Sequence, residues 1–142
     1  MPILIRDGDF SDNADHATQF LTTTDLTGEI AGLVSLDLEN DEAVDQLAEY
    51  FDQIGLIRIA FPGFADGRGY SLARRLRQLG FRGTLRAHGH LIPDQYPHAI
   101  RAGFNEIEIS VGLAEQKPAH QWQQQFAAMA TSYQDRLQRP QL

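Results

Sequence analysis

The chain has no cysteine and a single lysine. Without cysteine there is no disulfide, no thiolate metal site, no iron–sulfur ligation and no cysteine nucleophile. A redox role would need a bound cofactor or a partner. No apolar run approaches the ~20 residues that cross a bilayer. The opening residues, Met1-Pro2-Ile3-Leu4-Ile5-Arg6-Asp7, have no basic stretch leading into a long apolar one, so they do not read as a secretory signal. A cytoplasmic protein is expected. Gly-Lys-Ser/Thr of a phosphate loop and the three-glycine dinucleotide fingerprint are both missing. No Ser–His–Asp order, paired-carboxylate motif or nucleophile elbow stands out. The sequence therefore predicts no cofactor and names no reaction.

What is present suits one folded domain. The length is 142 residues, and hydrophobic and charged residues stand at 42% and 22%, which argues against disorder. The net charge of −7 disfavours non-specific nucleic-acid binding. Its distribution is uneven. Residues 1–57 carry thirteen acids against one base, Arg6, whereas residues 58–101 carry eight arginines against two acids. Either neighbouring elements neutralise one another, or the arginines, with their planar forks, form a site for an anion or an acidic partner.

Three stretches divide the chain. Residues 1–31 read as an N-terminal arm with a short strand or hairpin at Ile3-Leu4-Ile5 and a turn at Asp7-Gly8; Ser11 to Thr27 is polar and reads as irregular. Residues 32–138 read as one α/β domain, and 139–142 as a frayed tail. Within the domain, strands are predicted at Leu33–Leu38, Leu56–Phe61, Thr84–His88 and Asn105–Val111. Helices are predicted from Asn40 or Asp41 to Gly55, from Ser71 to Leu79, and from Pro93 to Gly103. A last helix after Pro118 carries Trp122, Phe126, Met129 and Tyr133 along one stripe. In the second helix Arg74, Arg75 and Arg77 are expected to face largely outward. Four consecutive βα units imply parallel strands and right-handed crossovers.

Each strand alternates. Val34, Leu36 and Leu38 oppose Ser35 and Asp37; Ile57, Ile59 and Phe61 oppose Arg58 and Ala60; Leu85 and Ala87 oppose Arg86 and His88; Ile107, Ile109 and Val111 oppose Glu106, Glu108 and Ser110. A parallel sheet covered on both faces reads as near-continuous apolar runs. These strands predict helices mainly on one face, in an arrangement like half of an eight-fold barrel. The other face then carries Asp37, Arg58, Arg86, His88, Glu106 and Glu108, available for a salt-bridge network or for self-association. The alternative is a flavodoxin-like three-layer sandwich.

Chemistry in such folds gathers beyond the carboxyl ends of the strands. Two segments are expected there. The first, Phe61 to Ser71, leads from strand into helix and holds the candidate residues Asp66, Gly67, Arg68, Gly69, Tyr70 and Ser71. The glycines permit close approach, the helix start offers N–H groups, and Arg68 supplies charge for a small oxyanion or carboxylate. The structural reading of the same residues is a tight loop in which Asp66 caps the helix and pairs with Arg68. In the second, Arg86 and His88 line the floor, and His88, His90 and Asp94 form a weak candidate metal set, with no matching ligand group elsewhere. Tyr70, Arg68 and His88 offer an acid, a clamp and a base, with nothing to fix their geometry.

The runs Phe61-Pro62, Phe64, Asp66-Gly67-Arg68-Gly69-Tyr70-Ser71, Gly83-Thr84-Leu85-Arg86-Ala87, Asp94-Gln95 and Gly103-Phe104 resemble the bacterial domain-of-unknown-function family 934, over roughly residues 30–135. That family is labelled an oxidoreductase involved in sulfite reduction, on the strength of genes lying beside sulfite reductase in sulfur assimilation. The resemblance implies an accessory protein of assimilatory sulfite reduction, with sulfite reductase or its electron donor as partner. Where the family reads Val-Gly-Asp-Val-Leu-Arg-Asp-Gln, this chain has His88-Gly89-His90-Leu91-Ile92-Pro93-Asp94-Gln95, so His90 replaces an aspartate and Pro93 an arginine. Two other readings are carried forward: an enzyme or binding protein for a small anion at the strand ends, and a homodimeric scaffold.

Overall fold

A computed structural model describes residues 2–12, 19–26 and 32–138. Part of the expected arm and the expected tail at 139–142 lie outside the described residues. The strands are β1 (Ile3–Arg6), β2 (Asp9–Asp12), β3 (Phe20–Leu21), β4 (Val34–Leu38), β5 (Ile54–Phe61), β6 (Thr84–Gly89) and β7 (Glu106–Ile109). The helices are α1 (Arg68–Gln78), α2 (Tyr96–Ala102), α3 (Val111–Gln116) and α4 (Ala119–Gln138).

All seven strands join one sheet in the order β2-β1-β7-β6-β5-β4-β3. From β3 to β7 the strands are parallel and follow chain order, which gives the α/β class its parallel core. A flavodoxin-like sheet needs a reversal of strand order at its centre. This parallel run contains none. Strands β1 and β2 are antiparallel and extend the sheet beyond β7. Between them Asp7 and Gly8 take φ values of 53° and 84°, the left-handed pair that a two-residue hairpin turn demands.

The alternation of each strand sorts the sheet into two faces. On one, Ile5, Leu36, Leu38, Ile57, Ile59, Leu85, Ala87, Ile107 and Ile109 are buried in a single cluster with Ala73 and Leu76 of α1, Ala99 and Ala102 of α2, and Trp122 of α4. Helices α1, α2 and α4 also touch in sequence there. Right-handed crossovers between sequential strands place their connections on a common side. In the aromatic stripe of α4, Trp122 is fully buried against Tyr96, and Phe126 stacks on the same ring. Met129 is half-buried, and the side chain of Tyr133 lies outside the described residues.

Several elements differ from the sequence expectation. The expected helix up to Gly55, with apolar residues at Val44, Leu47, Ala48, Phe51 and Ile54, is instead a 3₁₀ helix over Asp45–Gln53, with Val44 as its N-cap residue and Ile54 opening β5. Gly55 does not end it but sits inside β5, which begins at Ile54. The chain leaves β7 at Ile109, because the Ser110 hydroxyl accepts the N–H of Leu113 at 3.1 Å and caps α3, a helix the strand pattern concealed. Arg77 does not face outward. Its guanidinium donates to the carbonyls of Phe81, Gly83 and Gly103 and to Asn105 Oδ1, at 2.8–3.1 Å. It thereby ties the end of α1 to the turns before β6 and β7.

Candidate functional site

The face opposite the helices carries an ionic ladder. Register sets Asp37 of β4 beside Arg58 of β5, Arg58 beside Arg86 of β6, and Arg86 beside Glu106 of β7. Arg58 donates to Asp37 at 2.6 and 2.8 Å and reaches Glu108 at 3.1 Å. Arg86, only 1% exposed, binds both Glu106 and Glu108 at 3.0 Å, and Arg6 of β1 also holds Glu106. Positive and negative side chains thus interleave across five strands. Charges this deep are tolerated because each has an opposite partner with hydrogen-bonding geometry.

His88 projects from this same face, in register with Glu108. Burial, reinforced by the Arg58 charge, pushes its pKa below the ordinary imidazole value, against smaller opposing pulls from Glu108, Asp37 and Glu39. The ring is therefore held neutral around physiological pH.

The Asp66–Ser71 segment lies at the carboxyl end of β5. Asp66 accepts the N–H and Nε–H of Arg68 through Oδ1, and Arg68 Nη2 and Asn40 Nδ2 through Oδ2. These bonds, those from Arg68 foremost, hold its carboxyl well below the usual carboxylate range. Helix α1 begins at Arg68 instead of Ser71, with Gly67 as its N-cap residue. The carboxylate of Asp66 already occupies the positive end of that helix. Gly69 serves packing: a Cβ there would lie 2.5 Å from the Phe61 ring. Tyr70 is buried against Phe61 and stacks on His98 at 4.0 Å; burial raises its pKa, and its hydroxyl has no hydrogen-bond partner among the described residues. Ser71 is exposed.

Tyr70 thus packs on the helix side of the sheet and His88 lies on the other. The structure does not bring Tyr70, Arg68 and His88 together as acid, clamp and base. Arg86 belongs to the ladder. The ring of His90 meets Phe64 edge-on at 5.4 Å, while Asp94 is exposed in the 3₁₀ turn Pro93–Gln95. Among the described residues, no three His, Asp or Glu side chains converge to hold a metal ion.

A cleft of about 660 Å³ opens at the carboxyl ends of β6 and β7. Phe64, His88, His90 and Glu108 line one part, Ser110, Gly112 and Leu113 another. The sequence places the two histidines near it, and Phe64 within the Phe61–Ser71 segment, but gives Phe64 no role and does not reveal the α3 residues. The signal available was the short Ser110-Val111-Gly112-Leu113 run, a helix cap followed by a small residue.

Fold and site together define an α/β protein with sequential parallel strands, an ionic ladder on one sheet face and a cleft at the strand ends. The chain belongs to the family described as "Bacterial protein of unknown function (DUF934)", whose match covers residues 35–142. No curated protein matches it. Among the described residues, no helix is long and apolar enough to cross a membrane.

Proposed function

We propose that this chain is an accessory protein of assimilatory sulfite reduction that acts in the cytoplasm by docking on sulfite reductase or on its electron donor. The observation that carries the docking element is the segment that leads from β5 into the first residue of α1. It exposes Phe64 by 46% and the Arg68 side chain by 61%, yet its backbone and the Asp66 carboxylate are firmly held. Asp66 N–H bonds to Gly63 O, Asn40 grips Asp66, and Gln95 Nε2 donates to Phe64 O at 2.6 Å. An ordered loop presenting an aromatic ring and an arginine has lost little freedom still to be paid on association, and these residue types concentrate binding energy in interfaces. The link to sulfite reduction rests on the family resemblance. Arg68 and Arg86 each already hold carboxylates, which weighs against a small-anion site built on them.

The test is a pull-down with tagged protein from sulfate-grown cells at low and moderate salt. Capture of sulfite reductase or its donor, weakened by salt and by Arg68→Ala or Phe64→Ala in folded bait, is the expected result. A blank from folded wild-type bait removes the proposal.

A further inference from the structure

The cleft beside α3 has a chemistry distinct from that of the docking loop. Its charged floor is compensated: Glu108 is gripped by Arg58 at 3.1 Å and by Arg86 at 3.0 Å. Its walls include Phe64, Ile109 and Leu113. Gly112 opens it further, since a Cβ there would meet only Ser110 Oγ, at 4.0 Å. His88 adds an imidazole that no hydrogen bond engages among the described residues. Pockets of this size, mostly apolar with a few fixed polar groups, are the usual form of a small-molecule site.

We propose that this cleft binds a small, uncharged aromatic or heteroaromatic molecule carrying an N–H or O–H donor, which the His88 imidazole accepts while Phe64 and Leu113 flank the ring. An inorganic oxyanion does not fit. Among the described residues the cleft offers no cation that is not already shared with a carboxylate, and an anion would lie against Glu108. A flat neutral ring needs no charge compensation and gains from the apolar walls. The depressed basicity of His88 is consistent with an acceptor role, because a neutral imidazole keeps one lone pair. This site shares Phe64 with the proposed docking loop but uses neither Arg68 nor a partner.

The experiment is an amide-resolved NMR titration of the full chain with indole, benzofuran, sulfite and inorganic phosphate as separate probes. Indole is expected to shift the amides of Gly89, Ser110, Gly112 and Leu113 saturably. Benzofuran, lacking the N–H, should bind more weakly, and His88→Phe should remove that difference. The two anions should leave these amides in place. Gly112→Leu fills the opening with a better helix former, so it should retain the fold and lose the indole shifts, while capture of a partner through Phe64 and Arg68 persists. Shifts by the anions in place of indole, no shifts by any probe, or indole shifts that survive in folded Gly112→Leu would each overturn the proposal. The wild-type titration decides the matter even if that variant fails to fold.

Discussion

Arg86 and Arg68 are both bound by carboxylates, and the two pairs do different work. Arg86 is 1% exposed and joins Glu106 to Glu108 in the middle of the sheet. Arg68, at the exposed start of α1, is held by Asp66. The same chemistry is structural in the first place and presentational in the second, because solvent sets what an ion pair is worth. A buried charge that loses its partner keeps the full cost of desolvation, whereas an exposed one regains water.

The sharpest way to break this contrast is Arg86→Met. Two carboxylates would lose a cation in the interior, and unfolding in urea should reveal a loss of about 3–5 kcal/mol. A near-neutral result would mean that the ladder relaxes by taking in water, and the contrast would collapse. Arg77→Met is expected to cost less, about 1–3 kcal/mol by the same assay, since it strips hydrogen bonds from backbone carbonyls of which some regain solvent. Asn105 should lose its order with it, visible as faster hydrogen exchange at the Leu85 amide that it accepts at 2.8 Å.

His88 gives a smaller, pH-dependent effect. Its folded pKa lies below the ordinary 6.5, so in the window between the two values the unfolded chain binds more protons. Stability should therefore fall as pH drops from about 6.5 through the lowered folded value. His88→Gln should flatten that slope. His98 is also lowered, by burial and by Arg74 and Arg101, so the comparison is made with His98→Gln in both proteins. At the far end, Arg68→Ala should leave the urea midpoint where it was and still weaken partner capture. An unfolded Arg68→Ala would move this residue to the structural side of the comparison.

How far the sequence reveals these regions depends on periodicity. The ladder is legible because a strand turns every second side chain to one face: Asp37, Arg58, Arg86, Glu106 and Glu108 could be assigned together before any contact was known. Which of them pair was not legible, since that depends on register. Val44, Leu47 and Phe51 are spaced by three and four, which reads as α-helical; only the three-residue step also fits the 3₁₀ winding of Asp45–Gln53. Val111 continued the alternation of β7, so the Ser110 cap of α3 was hidden behind it. Arg77 looked like its neighbours Arg74 and Arg75 because the carbonyls it binds come from turns elsewhere in the chain. In the candidate site, the Asp66–Arg68 pairing follows from short-range residue order, and the geometry has that form. The cleft does not, being made where the ends of two strands meet a helix that local pattern did not announce.

The antiparallel seam between β1 and β7 pairs Ile3 with Ile109 and Arg6 with Glu106. On a ribosome these partners are made far apart in time. At roughly 5–20 residues per second, Arg6 waits on the order of 5–20 s before Glu106 is even polymerised. This hairpin, made long before β7, is thus among the last pieces to find its place in the sheet. Through that interval β1 has β2 on one edge and nothing on the other, and that open edge is a template for stray strand pairing.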